Sequence, residues 1–201
     1  MPAAPETLKA LEEARASAER AFHAYAGASS KAASKQARDL FGRLAAWEMH
    51  HFEEIDRASI AQSELGAWVD YVPGDFEKLD PKSSDRKDTW DRSGAQYFNE
   101  MEALASAMEN ERACYSMYLG LAAKAKEARE RDYWTAIASE EDLHAKVLRE
   151  QLDGLKVDGK WTWLEVLAKG APKASFAATR MAVSLIAPLS TSELQQHKVK
   201  T

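Results

Sequence analysis

Two short stretches, EMHH at residues 48–51 and EDLH at residues 141–144, carry the strongest structural signal in this chain. Both read Glu-x-x-His, and they lie 93 residues apart. Residues three apart on an α-helix project from one face, so each stretch can present a carboxylate and an imidazole to the same metal ion. At the same offset, Tyr25 falls on Tyr118 and Gly27 on Gly120. The chain therefore reads as two copies of one helical hairpin.

The spacing of the apolar residues predicts four long helices. Apolar side chains recur at steps of three and four over about residues 5–28, 34–65, 95–125 and 128–152. Residues 67–94 hold the proline, glycine, aspartate and serine residues that are typical of turns, and we interpret them as a long crossover. The short, long, short order of the connections predicts an all-α four-helix bundle of two hairpins joined by that crossover.

These boundaries also predict the domain organisation. We expect a four-helix bundle over residues 1–153 and a C-terminal extension over residues 154–201. The extension has an alanine-rich stretch that predicts a short extra helix, packed on the bundle or on a partner subunit. Its apolar residues favour a homodimer.

Composition excludes several classes of protein. The net charge of −5 argues against a binder of nucleic acid or of anionic membranes. The single cysteine, Cys114, excludes an intramolecular disulfide and a cysteine-rich metal module. No apolar run is long enough to span a bilayer, and the first residues lack the apolar core of a signal peptide. We therefore expect a cytoplasmic protein that does not contact a membrane.

The other two helices are expected to add carboxylates, because di-metal carboxylate bundles take a single Glu from each of them. On the third helix the candidate is Glu111, which shares a face with Tyr118. On the first helix the gapless repeat pairs Glu111 with Ala18, which has no ligand atom. Glu19 supplies the ligand if the register shifts by one residue. Otherwise the site has five ligands or recruits Glu54.

The paired Glu-x-x-His motifs, with Glu111 and Tyr118, resemble the rubrerythrin/erythrin branch of the ferritin-like superfamily over about residues 8–153. The resemblance implies a ferritin-like bundle around a non-haem di-iron centre, which reduces peroxide or oxidises ferrous iron with oxygen or peroxide. The residues that it makes catalytic and metal-binding are Glu48, His51, Glu111, Glu141 and His144, with Glu19 as a further metal ligand.

The resemblance also implies cofactors and partners. The expected cofactors are two iron ions, with manganese or zinc as possible replacements. The expected partners are peroxide or oxygen as oxidant and an external electron donor, because the chain lacks the cysteines of the rubredoxin domain that typical rubrerythrins carry. The alternative is a helical binding or scaffold protein whose metal site has degenerated, which the alanine at position 18 suggests.

Overall fold

The computed structural model describes residues 3–74, 99–159 and 161, and within them it contains four α-helices and no strand. The helices are α1 (Pro5–Lys31), α2 (Lys35–Leu65), α3 (Glu100–Lys124) and α4 (Ala128–Asp158). Helix α1 packs along α2, and α3 packs along α4, so the bundle consists of two helical hairpins. The predicted all-α bundle is confirmed. None of the described helices has the length and apolar character that crossing a bilayer requires.

The ends of the helices repeat at the same 93-residue offset as the motifs. Helices α2 and α4 both have 31 residues and begin and end at equivalent positions. Gly66 and Gly159 follow them with φ of 62° and 63°, a left-handed conformation that residues with a Cβ adopt only with strain. Trp68 and Trp161 come two residues later, and both pack on the apolar interior. The internal repeat is therefore a property of the backbone as well as of the sequence.

Three helix ends differ from the predicted ones. Helix α1 continues to Lys31, because the Ser30 hydroxyl bonds back to a carbonyl of the same helix and does not end it. Helix α3 begins at Glu100, where the Asn99 side chain accepts bonds from two backbone amides of the first turn. Helix α4 continues to Asp158 because its left-handed cap is Gly159.

Two predicted segments lie largely outside the described residues. Of the crossover over residues 67–94, the structure describes residues 67–74, which follow α2 without forming a helix or a strand. Residues 162–201, with the expected short C-terminal helix, are not among the described residues. The division into a bundle over residues 1–153 and an extension over 154–201 therefore stays a prediction.

Two apolar clusters fill the interior, and a polar layer separates them. On α2 the change from one cluster to the other falls between Leu44 and Ile55, and on α4 it falls between Ile137 and Val147. The two Glu-x-x-His motifs occupy these two intervals. The fold therefore places both motifs at the same height in the bundle, with apolar side chains above and below.

Candidate metal centre

The side chains of the two motifs and of Glu111 converge in the polar layer, where each is at most 1% exposed. Ligand atoms of Glu48, Glu111, Glu141 and His144 all lie within 4.8 Å of one another. His51 joins them, since its Nδ1 is 3.3 Å from Oε1 of Glu141 and 3.7 Å from Oε2 of Glu48. The structure thus brings together five of the six side chains that the sequence indicates as metal ligands.

The sixth side chain, Glu19, lies elsewhere. It is exposed on α1, whereas the preceding residue, Ala18, is 1% exposed and belongs to the interior. The gapless register of the repeat is therefore the correct one, and the shifted register that would make Glu19 a ligand is wrong. Glu54 does not replace it, because its carboxylate accepts hydrogen bonds from Arg57 and from the backbone amide of Val72.

Two carboxylates of this layer, those of Glu48 and Glu141, accept no hydrogen bond. All four carboxylate oxygens of Glu48 and Glu141 are buried without a hydrogen bond. Burial, and next the charge of Glu141, raises the pKa of Glu48. Burial, and next the charge of Glu111, raises the pKa of Glu141. Buried carboxylates without partners are costly, and a bound cation would compensate them.

Both histidines point Nδ1 at the carboxylates. Nδ1 of His144 lies 3.1 Å from Oε2 of Glu111 and 3.4 Å from Oε2 of Glu141. Burial lowers the pKa of His144, but the neighbouring charges, that of Glu111 foremost, raise it to about 10. The two imidazole rings stack with their centroids 5.7 Å apart. A metal ion at Nδ1 would replace the proton held there, so metal binding is coupled to proton release.

Glu140 contacts the candidate ligand His51, and the sequence did not indicate it. Its carboxylate accepts hydrogen bonds from Nε1 of Trp47 at 2.6 Å, the hydroxyl of Tyr71 at 2.8 Å, and Nε2 of His51 and the amide of Gly74, both at 3.1 Å. Although burial opposes it, the bond with His51 lowers the pKa of Glu140. Metal-binding histidines commonly give their outer N–H to a carboxylate in this way, which fixes the ring and its tautomer.

Helical periodicity alone does not indicate this position of Glu140. Glu140 precedes the candidate ligand Glu141, and neighbouring residues on a helix point about 100° apart, so the pattern places Glu140 off the face that carries the candidate ligands. Its partners lie on α2 and in residues 71–74. The sequence offers one indication: the 93-residue offset makes Glu140 equivalent to Trp47, so the two hairpins differ at this position.

His144 and Glu111 have other contacts outside the candidate centre than His51 has with Glu140. Nε2 of His144 is buried without a hydrogen bond, and the ring packs edge to face with Trp47 at 4.3 Å between centroids. The hydroxyl of Tyr25 donates a hydrogen bond to Oε1 of Glu111 and accepts one from the side-chain amide of Asn110 at 3.1 Å. These contacts orient one carboxylate and one imidazole from outside the centre.

Comparisons of this chain with models of protein families, with curated proteins and with solved structures found no match. The chemistry of the donor set itself is informative. Carboxylate oxygens and imidazole nitrogens suit iron, manganese and zinc, and the buried group of Glu48, Glu111, Glu141 and His144 can hold metal ions.

Proposed function

We propose that this protein is a non-haem di-iron oxidoreductase of the rubrerythrin-like kind, which reduces peroxide or oxidises ferrous iron. One observation carries the proposal: three carboxylates and two imidazoles from three helices meet in a buried layer of the bundle, where four carboxylate oxygens accept no hydrogen bond. A Glu-x-x-His from each of two helices and a Glu from a third is, apart from one missing carboxylate, the donor set of di-iron carboxylate bundles.

Some of the candidate ligands would bind both metal ions, and the others would bind one ion each. Glu48 and Glu141 each lie within 3.9 Å of both histidines, and we assign them as the carboxylates that would be shared by the two ions. His51 and His144 would serve one ion each, and Glu111 lies on the side of His144. Iron ions bound here would exchange electrons with the oxidant, because carboxylates and imidazoles accommodate both ferrous and ferric iron.

The surrounding residues hold this set in place. Tyr25 holds the oxygen of Glu111 that does not face His144. Glu140 holds the outer nitrogen of His51, and through Tyr71 and Gly74 it also ties the segment after α2 across this side of the site. The apolar clusters above and below exclude bulk water from the layer. Rotation of the ligands is thereby restricted before any ion binds.

The remaining assignments belong to the same proposal. The oxidant is peroxide or oxygen, and electrons come from an external donor, since the one cysteine, Cys114, cannot form a cysteine-bound iron centre within the chain. We place the protein in the cytoplasm as a homodimer, on the composition and on the apolar C-terminal residues.

The metal content tests the proposal directly. Protein loaded with ferrous iron without oxygen and then desalted should keep at least about one iron per chain, and up to about two. The double variant His51→Ala/His144→Ala should lose this iron, whereas His23→Ala, which changes an exposed histidine of α1, should keep it. Two activity assays then separate the reactions: peroxide consumption with a chemical reductant, and oxidation of added ferrous iron by oxygen. Less than one iron per chain in the unchanged protein overturns the proposal.

The alanine at position 18 favours a second candidate, a helical scaffold whose metal centre has degenerated. Ala18 is buried at the position where the repeat calls for a carboxylate. A scaffold would retain no iron, and replacing His51 and His144 would change neither its metal content nor its association with partners. The same loading experiment therefore decides between the two candidates.

A further inference from the structure

The two tyrosines at equivalent positions of the hairpins have different surroundings. The hydroxyl of Tyr25 donates a hydrogen bond to Glu111 across the bundle. The 93-residue offset relates Tyr25 to Tyr118 and relates Glu111 to Ala18. By the symmetry of the repeat, the acceptor for Tyr118 would be a carboxylate at position 18, where the side chain of alanine ends at Cβ.

The hydroxyl of Tyr118 accordingly has no acceptor for a hydrogen bond. Its side chain is fully buried, and the hydroxyl has no hydrogen-bond partner. The ring stacks on Trp134, with the centroids 5.9 Å apart and the planes at 14°, which restricts the ring to this orientation. Burial raises the pKa of Tyr118, and the charges of Glu141 and Glu48 raise it further. The hydroxyl is therefore a neutral donor within electrostatic reach of the two shared carboxylates.

The two metal positions differ in what the protein supplies. On the side of His144, Glu111 completes a group of four side chains together with the shared carboxylates. On the side of His51, the protein supplies the imidazole and the shared carboxylates Glu48 and Glu141. The carboxylate that would match Glu111 is the one missing at Ala18.

The polar side chains near Ala18 do not provide an anionic ligand in its place. The hydroxyl of Ser17 and the thiol of Cys114 lie 3.6 Å apart and bond to each other. Burial, with the charge of Glu141 next, raises the pKa of the Cys114 thiol. The neutral thiol, held by its bond with Ser17, therefore does not supply the negative charge of the missing carboxylate.

We propose that a small exogenous carboxylate, of the size of formate or acetate, completes the metal position beside His51, takes the place of the side chain missing at Ala18, and accepts a hydrogen bond from Tyr118. The inference rests on the metal centre proposed above. Its size follows from the covalent structures, because the atoms that glutamate has beyond the Cβ of alanine are those of acetate. The position beside His51 therefore has an exchangeable ligand, whereas the position beside His144 is closed by the protein.

Calorimetric titration with cobalt(II), which does not require a redox reaction, tests this inference. The unchanged protein should bind a first ion tightly and a second more weakly, and sodium acetate should strengthen the second binding step by about tenfold relative to sodium chloride at equal ionic strength. Tyr118→Phe should lose most of the acetate effect. Tyr115→Phe, which changes a half-buried tyrosine of the same helix away from the centre, should keep it.

A complementary variant restores the missing group. Ala18→Glu should bind both ions tightly in chloride alone and should no longer respond to acetate. If Ala18→Glu does not fold, the titrations of the unchanged protein and of Tyr118→Phe still decide the matter. A second binding step that is equally strong in acetate and in chloride overturns the inference, as does a visible tyrosinate absorption of the ferric protein that Tyr118→Phe removes.

The failure of the inference and that of the proposed function are distinguishable. If the unchanged protein binds neither iron nor cobalt, the metal centre itself is absent and the inference falls with it. If the protein binds metal but shows no acetate effect, the metal centre stands and the inference alone is wrong.

Discussion

The two helical hairpins share a backbone plan and differ in the side chains that face the centre. Their second helices have equal lengths and end on left-handed glycines at equivalent positions. Two equivalent positions of the polar layer carry different side chains in the two hairpins. Ala18 is equivalent to Glu111, and Trp47 is equivalent to Glu140. The first difference removes an inner carboxylate from the side of His51, and the second gives that side an outer carboxylate.

The outer contacts also cross between the hairpins. Glu140 on α4 bonds His51 on α2, and Trp47 on α2 packs on His144 on α4. Each hairpin therefore orients the histidine of the other. The centre is a property of the assembled bundle, and we expect neither hairpin to form it alone.

The largest expected effect comes from the shared carboxylates, which test whether the two hairpins contribute equally. Iron should raise the free energy of unfolding by about 2.7 kcal/mol when free metal is at 100 times its Kd, and Glu48→Gln and Glu141→Gln should each abolish this rise. Without metal, both variants should change stability little, because the lost attraction to the histidines is offset by the relief of repulsion between buried carboxylates. Thermal unfolding with and without metal measures both effects.

The exposed Glu53→Gln on α2 is the matched control for these two variants, and it should behave like the unchanged protein. A stability increment from metal that survives in either the Glu48 or the Glu141 variant would show that this carboxylate is not shared.

The next effect concerns the outer carboxylate and sharpens the difference at Trp47 and Glu140. Glu140→Gln should weaken metal binding about tenfold, because it removes the charge that fixes His51. It should also speed hydrogen exchange of the Gly74 amide, which bonds the same carboxylate. Trp47→Phe, which keeps an aromatic ring beside His144 and removes one donor to Glu140, should have the smaller effect. Equal losses of affinity in the two variants would contradict this order.

Tyr25 and Tyr118 should contribute differently to the free energy of unfolding of the metal-free protein. Tyr25→Phe removes a bond to a buried carboxylate and should cost about 1.5–3 kcal/mol. Tyr118→Phe removes a hydroxyl that has no partner and should be neutral or stabilising. Urea unfolding of the metal-free variants measures both values. A loss in Tyr118→Phe as large as that in Tyr25→Phe would mean that Tyr118 has an acceptor in the metal-free protein.

The smallest effect lies at the starts of the second helices. Ser34 caps α2 through a bond from the amide of Ala37, so Ser34→Ala should cost about 1 kcal/mol. Glu127, its equivalent before α4, makes no capping bond through its side chain, so Glu127→Ala should change the free energy of unfolding little. Unfolding in urea compares the two variants. Equal costs would show that the serine hydroxyl is not what stabilises the start of α2.

The helices and most of the site followed from short-range patterns. Residues such as Leu44 and Ile55 identify the buried face of α2 because helical periodicity depends only on the chain itself. The same periodicity puts Glu48 and His51 on that face, and the repeat then indicates Glu111, Glu141 and His144. Helix ends were less certain, since a serine or glycine can lie inside a helix as well as end one, as Ser30 in α1 shows.

The register of α1 and the role of Glu140 required the tertiary structure. Ala18 and Glu19 are adjacent, and both registers of the repeat were open until the packing of α1 placed Ala18 in the interior and Glu19 in solvent. Glu140 acquires its role from contacts with α2 and with the segment that follows it. Periodicity within one helix assigns a face to each residue, but which groups meet across two hairpins depends on how the assembled helices pack.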